Sequence, residues 1–275
     1  WKYCGAEGHY DLYNRSDSQL HSEFGVDGMN GRAVLEKILP PERLRVTDMR
    51  SDAVWRHRGD WWNTYPRDTA LFGAFAPEEL DTFIACSQFI QAEGIRYALE
   101  ANRRRAFQNT GSIIWQYNEP IPNVSGTNLE DYYGGKKLAY GFVRDAFRPC
   151  NPSLRYGKLA WQAGEKVPLA AFVSNDGAAF DARLTLRASD WQGRLLLEKA
   201  FPLKVPENGS CQVGSCELTA PASEAMVIEL KLEGGGQSVT SRYVLFVLDD
   251  QLQIEFLYSQ MFDTGNEAIQ VSDID

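Results

Sequence analysis

A chain of 275 residues with 44% hydrophobic, 24% charged and 12% aromatic content has ordinary globular composition and room for one or two domains. Its net charge of −9, with no basic stripe, argues against a nucleic-acid partner, because phosphate binding needs clustered Lys and Arg. No apolar run approaches the roughly 20 residues that cross a bilayer, so no membrane partner is expected.

The first residue is Trp1 with no signal peptide before it, so a processed chain or an absent upstream part is expected, and the compartment stays open. The five cysteines (Cys4, Cys86, Cys150, Cys211, Cys216) lack a paired metal spacing and the three histidines lie far apart. Neither a metal site nor a cofactor is expected. Only Cys211 and Cys216 are close enough in sequence to suggest a local disulfide.

In chain order, residues 1–148 alternate short apolar segments with helical ones. Gln19–Phe24 is a short strand candidate carrying the acidic Glu23, with Gly25 after it. Pro77 to Arg105 reads as one long helix. Pro77 suits its first turn, Glu78, Glu79 and Asp81 suit the positive end of its dipole, and Arg103, Arg104 and Arg105 the negative end. Its apolar and small residues recur at helical spacing from Leu80, Phe83, Ile84 and Ser87 to Ala98 and Ala101. Gly111–Tyr117 reads as a buried strand, and Lys136–Phe147 as an amphipathic helix stopped before Pro149. This alternation predicts a parallel α/β fold.

From residue 150 the period changes to two. Val167–Val173, the run around Leu184, Leu186 and Ala188, the run Met226–Leu232 and the run Val239–Val247 each alternate. Turn sequences at Asn175-Asp176-Gly177, Glu207-Asn208-Gly209 and Gly234-Gly235-Gly236 separate them. The pattern predicts an antiparallel β-sandwich, with Trp161 and Trp191 in its core. Arg148–Pro152 is the natural boundary, giving two domains, 1–149 and 150–275, the second ending in an acidic tail.

Three segments then carry a family resemblance: His21-Ser22-Glu23-Phe24-Gly25, Gly111–Asn118 (GSIIWQYN), and Asn123-Val124-Ser125 continuing through Asp131–Tyr140 (DYYGGKKLAY) to Phe147-Arg148-Pro149. Taken in order over residues 1–149, they resemble the last quarter of the barrel in family 2 glycoside hydrolases, β-mannosidase branch. The resemblance implies an α/β plus all-β chain, the C-terminal part of a (β/α)8 TIM barrel followed by an immunoglobulin-like antiparallel β-sandwich. It implies a retaining exo-β-glycosidase acting on terminal β-glycosides, β-mannosides first, with an oligosaccharide or glycoside as substrate.

In that family a Ser-Glu-Phe/Tyr-Gly segment ends barrel strand seven, so the resemblance places Glu23 as the catalytic nucleophile. Retaining hydrolysis needs a carboxylate about 5–5.5 Å from a carboxylic acid, so that it attacks the anomeric carbon directly. Trp115 resembles the tryptophan that floors the sugar subsite, where a flat ring stacks on the C–H face of a pyranose. Trp55, His57, Trp61 and Trp62 fall in the long loop after strand seven, which would pass over the same face. His9 resembles the end of strand six, and Asn118 ends strand eight. Glu119 follows Asn118 but stands after the nucleophile, whereas the family's acid/base precedes it, so it is expected to be a loop residue. Glu93, within the long helix, is expected to be structural.

A complete barrel takes about 250 residues, and residues 1–148 supply at most three of its eight strands. The chain is therefore expected to be a fragment, inactive alone, whose strand edge pairs with the missing N-terminal part or with a second copy. The competing reading is a non-catalytic module, with the sandwich binding carbohydrate or protein and the α/β part as its support.

Overall fold

The computed structural model describes residues 9–59 and 63–248. Trp1, Cys4, Trp61, Trp62 and the acidic tail from residue 249 lie outside the described residues. The first part of the chain carries α1 (His9–Arg15), β1 (His21–Phe24), β2 (Gly28–Met29), α2 (Arg32–Ile38), α3 (Ala53–His57), α4 (Tyr65–Phe72), α5 (Leu80–Arg104), β3 (Ser112–Ile114), β4 (Ser125–Gly126) and α6 (Leu138–Ala146). The rest is strand: β5 (Cys150–Arg155), β6 (Ala160–Trp161), β7 (Lys166–Asn175), β8 (Phe180–Asp190), β9 (Leu195–Val205), β10 (Gly209–Thr219), β11 (Ala225–Gly234) and β12 (Gln237–Val247).

The long helix begins three residues later than its proline suggests. The carbonyl of Pro77 accepts from the Val46 amide at 2.8 Å, and the Glu79 carboxylate accepts from the Ala76 amide at 2.7 Å, so this segment is a turn that precedes α5. Along α5, Leu80, Phe83 and Ile84 enter a small core with Met29, Leu35 and Trp55. From Ile90 to Asn102 the helix is buried on nearly every side, charged residues included. Each fully buried Ile, Leu or Phe contributes about 1.5–3 kcal/mol.

The buried charges are paired across to the strands. Glu93 accepts from Arg96 and from the Tyr156 hydroxyl, and Glu100 accepts from the Tyr243 hydroxyl at 2.9 Å. The Arg96 guanidinium also lies 4.3 Å from the centroid of the Tyr243 ring and donates to the Arg242 carbonyl. Burial raises the pKa of the Glu100 carboxyl. Glu93 thus serves packing, and the helix and the strands share one hydrophobic core that runs from Tyr10 and Ile90 to Leu230 and Leu245.

The strands form a β-sandwich: a three-stranded sheet in the order β10-β7-β5 faces a five-stranded sheet in the order β6-β12-β11-β8-β9. All pairs are antiparallel except β12 with β6. The alternation seen in the sequence is the alternation of burial: Leu184, Leu186, Ala188, Ile228, Leu230 and Leu232 point inward. The three expected turns stand between β7 and β8, β9 and β10, and β11 and β12, with Gly235 and Gly236 at φ 55 and 76. Trp161 is in the core, but Trp191 is 58% exposed, because it lies in the turn after β8 and not on its inward face. Cys211 and Cys216 are both free thiols on β10, where five steps of extended strand hold them too far apart for a disulfide.

The parallel part is the pair β1–β3, and the described residues do not close a barrel. The segment expected as a buried strand is accordingly short and open. Ile113 is 57% and Tyr117 55% exposed, since β3 has β1 as its sole paired strand among the described residues.

Candidate active site

β1 and β3 run side by side in the same direction, His21 opposite Ser112 and Phe24 opposite Ile114. Phe24 enters the core, and strand alternation turns its neighbour Glu23, half-buried, to the other side. At the same end of the pair, Trp115 is 44% exposed, donates its amide to the Phe24 carbonyl at 2.8 Å and is joined to Gln116 by a cis peptide. A carboxylate and a flat, accessible indole are thus delivered by adjacent strand ends. Gly25 makes this approach possible, because a Cβ there would run into the Trp115 carbonyl.

The loop after β3 folds back on itself. The Leu129 amide donates to the Gln116 carbonyl at 3.1 Å, and the Glu119 amide to the Glu130 carbonyl at 3.1 Å. Asn118 is exposed on this loop. Tyr117 donates its hydroxyl to Glu130 at 3.1 Å, and Tyr132 and Tyr133 are also about half exposed. Tyr132 and Tyr133 had no individual signal in the sequence beyond the Asp131-Tyr132-Tyr133-Gly134 turn.

Beneath the strand ends lies a buried polar cluster that sequence reasoning did not single out. Asn30 donates to the Asn123 carbonyl and accepts from Asn128, each at 3.0 Å. The Lys137 ammonium is buried and donates to the carbonyls of Gly28 at 2.8 Å and Gly126 at 2.9 Å, tying β2 to β4. Burial lowers its pKa to about 7, against the pull of Asp27 and Glu119. Glu119 is 6% exposed and packed against Gly126, its pKa raised by burial. It faces inward as a loop residue. Next to this cluster, Arg67 is buried between Asp27 and Asp68, at 3.0 and 2.7 Å, and also donates to the Asp27 carbonyl. In the sequence Asn123 and Lys137 stood within the segments that carry the family resemblance, and nothing there marked the run Asn123–Asn128 as buried.

Two expected substrate contacts are corrected by burial. Trp55 is fully buried on α3, its indole N–H donating to the Arg43 carbonyl at 2.9 Å, so the ring belongs to the core. His9 lies on α1 with Nε2 2.7 Å from the Gly94 carbonyl, its ring edge-on to Tyr13. Burial lowers its pKa to about 4. Among the described residues the ring packs against α5 and is buried. His57 is exposed at the end of α3, close in sequence to Arg58, whose carbonyl accepts from the Val124 amide at 3.0 Å.

Residues 169–248 match the family described as Mannosidase Ig/CBM-like domain. The β-D-mannosidase from Dictyoglomus thermophilum has the same fold, with a TM-score of 0.70 at 20% identity over 86% of this chain and 28% of that one. An exo-chitosanase from Amycolatopsis orientalis gives 0.66 at 19% identity, over 88% and 30% of the two chains. The relatives are glycoside hydrolases. More particularly, β-mannosidase B of Aspergillus niger is 21% identical over 173 residues, and that of Thermothelomyces thermophilus 25% over 160 residues. The match takes in 60% and 53% of this chain, and 20% and 18% of those proteins' lengths. The chain is similar to the C-terminal portion of a β-mannosidase-like family 2 glycoside hydrolase.

Proposed function

We propose that this chain is the nucleophile-bearing portion of a retaining exo-β-glycosidase that hydrolyses terminal β-mannosides. The observation that carries the reading is the delivery of Glu23 and the exposed Trp115 by adjacent parallel strand ends, with Gly25 admitting the approach. Glu23 attacks the anomeric carbon to form a glycosyl-enzyme while Trp115 stacks on the sugar. A second carboxylic acid protonates the leaving group and later activates water. That acid belongs to a segment outside this chain, as do the remaining barrel strands, which would pair along the open edge of β3. His57 and Asn118, both exposed, are the further candidate contacts. The change from helices to antiparallel strands at Cys150 supports a division of the chain into 1–149, the barrel portion, and 150–275, the part that carries the immunoglobulin-like sandwich, and the described residues of the two share a common core.

The test uses a longer protein that includes the upstream segment. An activated 2-fluoro-mannoside should label Glu23, and Glu23→Gln should abolish both labelling and turnover of an aryl β-mannoside. Labelling at another carboxylate, or undiminished turnover by Glu23→Gln, overturns the assignment. The purified 275-residue chain should turn over no aryl β-mannoside. The confinement of the family match to residues 169–248 favours a second reading, a sandwich that binds carbohydrate without catalysis. It predicts mannoside binding within the strands and none at Glu23.

A further inference from the structure

A cavity of about 530 Å³ opens at the far end of the β1–β3 pair from Glu23, between the last turn of α5, the loop into β3 and the β7–β8 and β9–β10 turns. Its size falls within the ~300–1,000 Å³ of small-molecule sites. Phe107 and Phe147 line it, and they are 81% and 51% exposed. Phe107 has φ 70, a left-handed conformation that a bulky side chain rarely adopts. Backbone strain of this kind gathers at ligand sites.

The polar lining is neutral in its balance. Arg103, the cation of the lining, is occupied: it donates to the carbonyls of Ala146, Arg148 and Pro149 and to both oxygens of Asp176, at 3.0 and 3.1 Å. No cation in the lining is left to hold a phosphate or carboxylate. Asp176 stays 63% exposed with acceptor capacity to spare. The Asn208 amide is exposed and makes no side-chain hydrogen bond to the described residues. Thr110 donates its hydroxyl to the Gln19 carbonyl and keeps its lone pairs.

We propose that this cavity is a second saccharide site, separate from Glu23. The two phenyl rings stack on pyranose C–H faces, while Asp176 accepts from the hydroxyls and Asn208 both donates to and accepts from them. Uncharged mono- or disaccharides are the ligand class, because aromatic faces beside the Asn208 amide, the Thr110 hydroxyl and a carboxylate already paired with Arg103 suit them, and the lining lacks a free cation for an anion. The site does not depend on Glu23 being catalytic.

The test titrates the purified chain with β-1,4-mannobiose and with cellobiose, read by saturation-transfer NMR and by amide shifts. Saturable binding is expected, with shifts at residues 107–111 and 208–209. Phe107→Ala should weaken it about tenfold, the loss of one aromatic contact. Because Phe107 is exposed, that variant should fold, and an unchanged thermal melt is the check. Glu23→Gln and Trp115→Ala should bind as the parent does. Absence of saturable shifts with both sugars overturns the proposal. So does binding that Phe107→Ala leaves intact or that Trp115→Ala removes.

Discussion

Gly25 carries the backbone after Glu23 directly against the carbonyl of Trp115, with no space for a side-chain carbon between them. The Trp115 amide reaches back to the Phe24 carbonyl at 2.8 Å, so the two strand ends are locked at this one point. The position of the candidate carboxylate relative to the candidate stacking ring therefore rests on a glycine.

Gly25→Ala should lower stability by about 1–3 kcal/mol, the usual range for forcing an extra methyl into a packed site. The clash is with backbone, so no side-chain rotation relieves it. Gly141→Ala is the control. Gly141 lies within α6 with nothing near its absent Cβ, and alanine there should stabilise by about 0.5–1 kcal/mol. Urea unfolding curves measure both, and equal effects would count against the packing argument.

Arg67→Met should be the costliest of these substitutions, at about 3–5 kcal/mol, because it strands the buried Asp27 and Asp68 without their cation. Asp27 lies two residues after Gly25, so the loss should also loosen the segment after β1. Amide hydrogen exchange at residues 25–29 reads this directly. Unchanged protection there would separate the ion pairs from the site.

Lys137 should make stability rise with pH. Its folded pKa of about 7 lies below the ordinary 10.5, so between these values the unfolded chain holds a proton that the folded chain has released. Raising pH removes that advantage of the unfolded state, and lowering it toward 7 restores it. Relative to Lys137→Met, the parent should gain about 2–3 kcal/mol between pH 7 and about 9. A stability difference that is flat across this window would contradict the depressed pKa.

His9 acts in the acid range with the same sign. Burial lowers its pKa from 6.5 to about 4, so stability is fully present above 6.5 and declines as pH falls toward 4. The contribution at stake is about 3 kcal/mol. His9→Phe should flatten that part of the pH profile, and an NMR titration of the imidazole should show the midpoint near 4. A midpoint near the ordinary value would mean that the ring is hydrated.

Much of the sandwich was legible because its inward strands alternate strictly. β8 from Leu184, β11 from Met226 to Leu232 and β12 from Ser241 bury every second residue, and that period is visible without coordinates. β9 is a strand as long as β8, yet its period-two signal is weak, because it is an edge strand with most side chains exposed on both faces. The long helix was legible from its apolar spacing. The deep burial of Glu93, Arg96 and Glu100 was not, since charge pairing across to Tyr156 and Tyr243 leaves no periodic trace.

The sequence by itself determined the long helix, the alternating runs and the change of architecture near residue 150, and its resemblance to a known family singled out Glu23 and Trp115 as candidates. The former follow from local periodicity, the latter from motifs read in chain order. Tertiary structure alone decided which candidates face outward. Trp55 and His9 have the same aromatic and titratable chemistry as Trp115 and His57, but α3 and α1 turn them into packed interiors. Burial depends on which element packs over which, and contacts such as His9 with Gly94 join residues far apart in the chain. No local pattern encodes that, just as none encodes the meeting of Gly25 with Trp115.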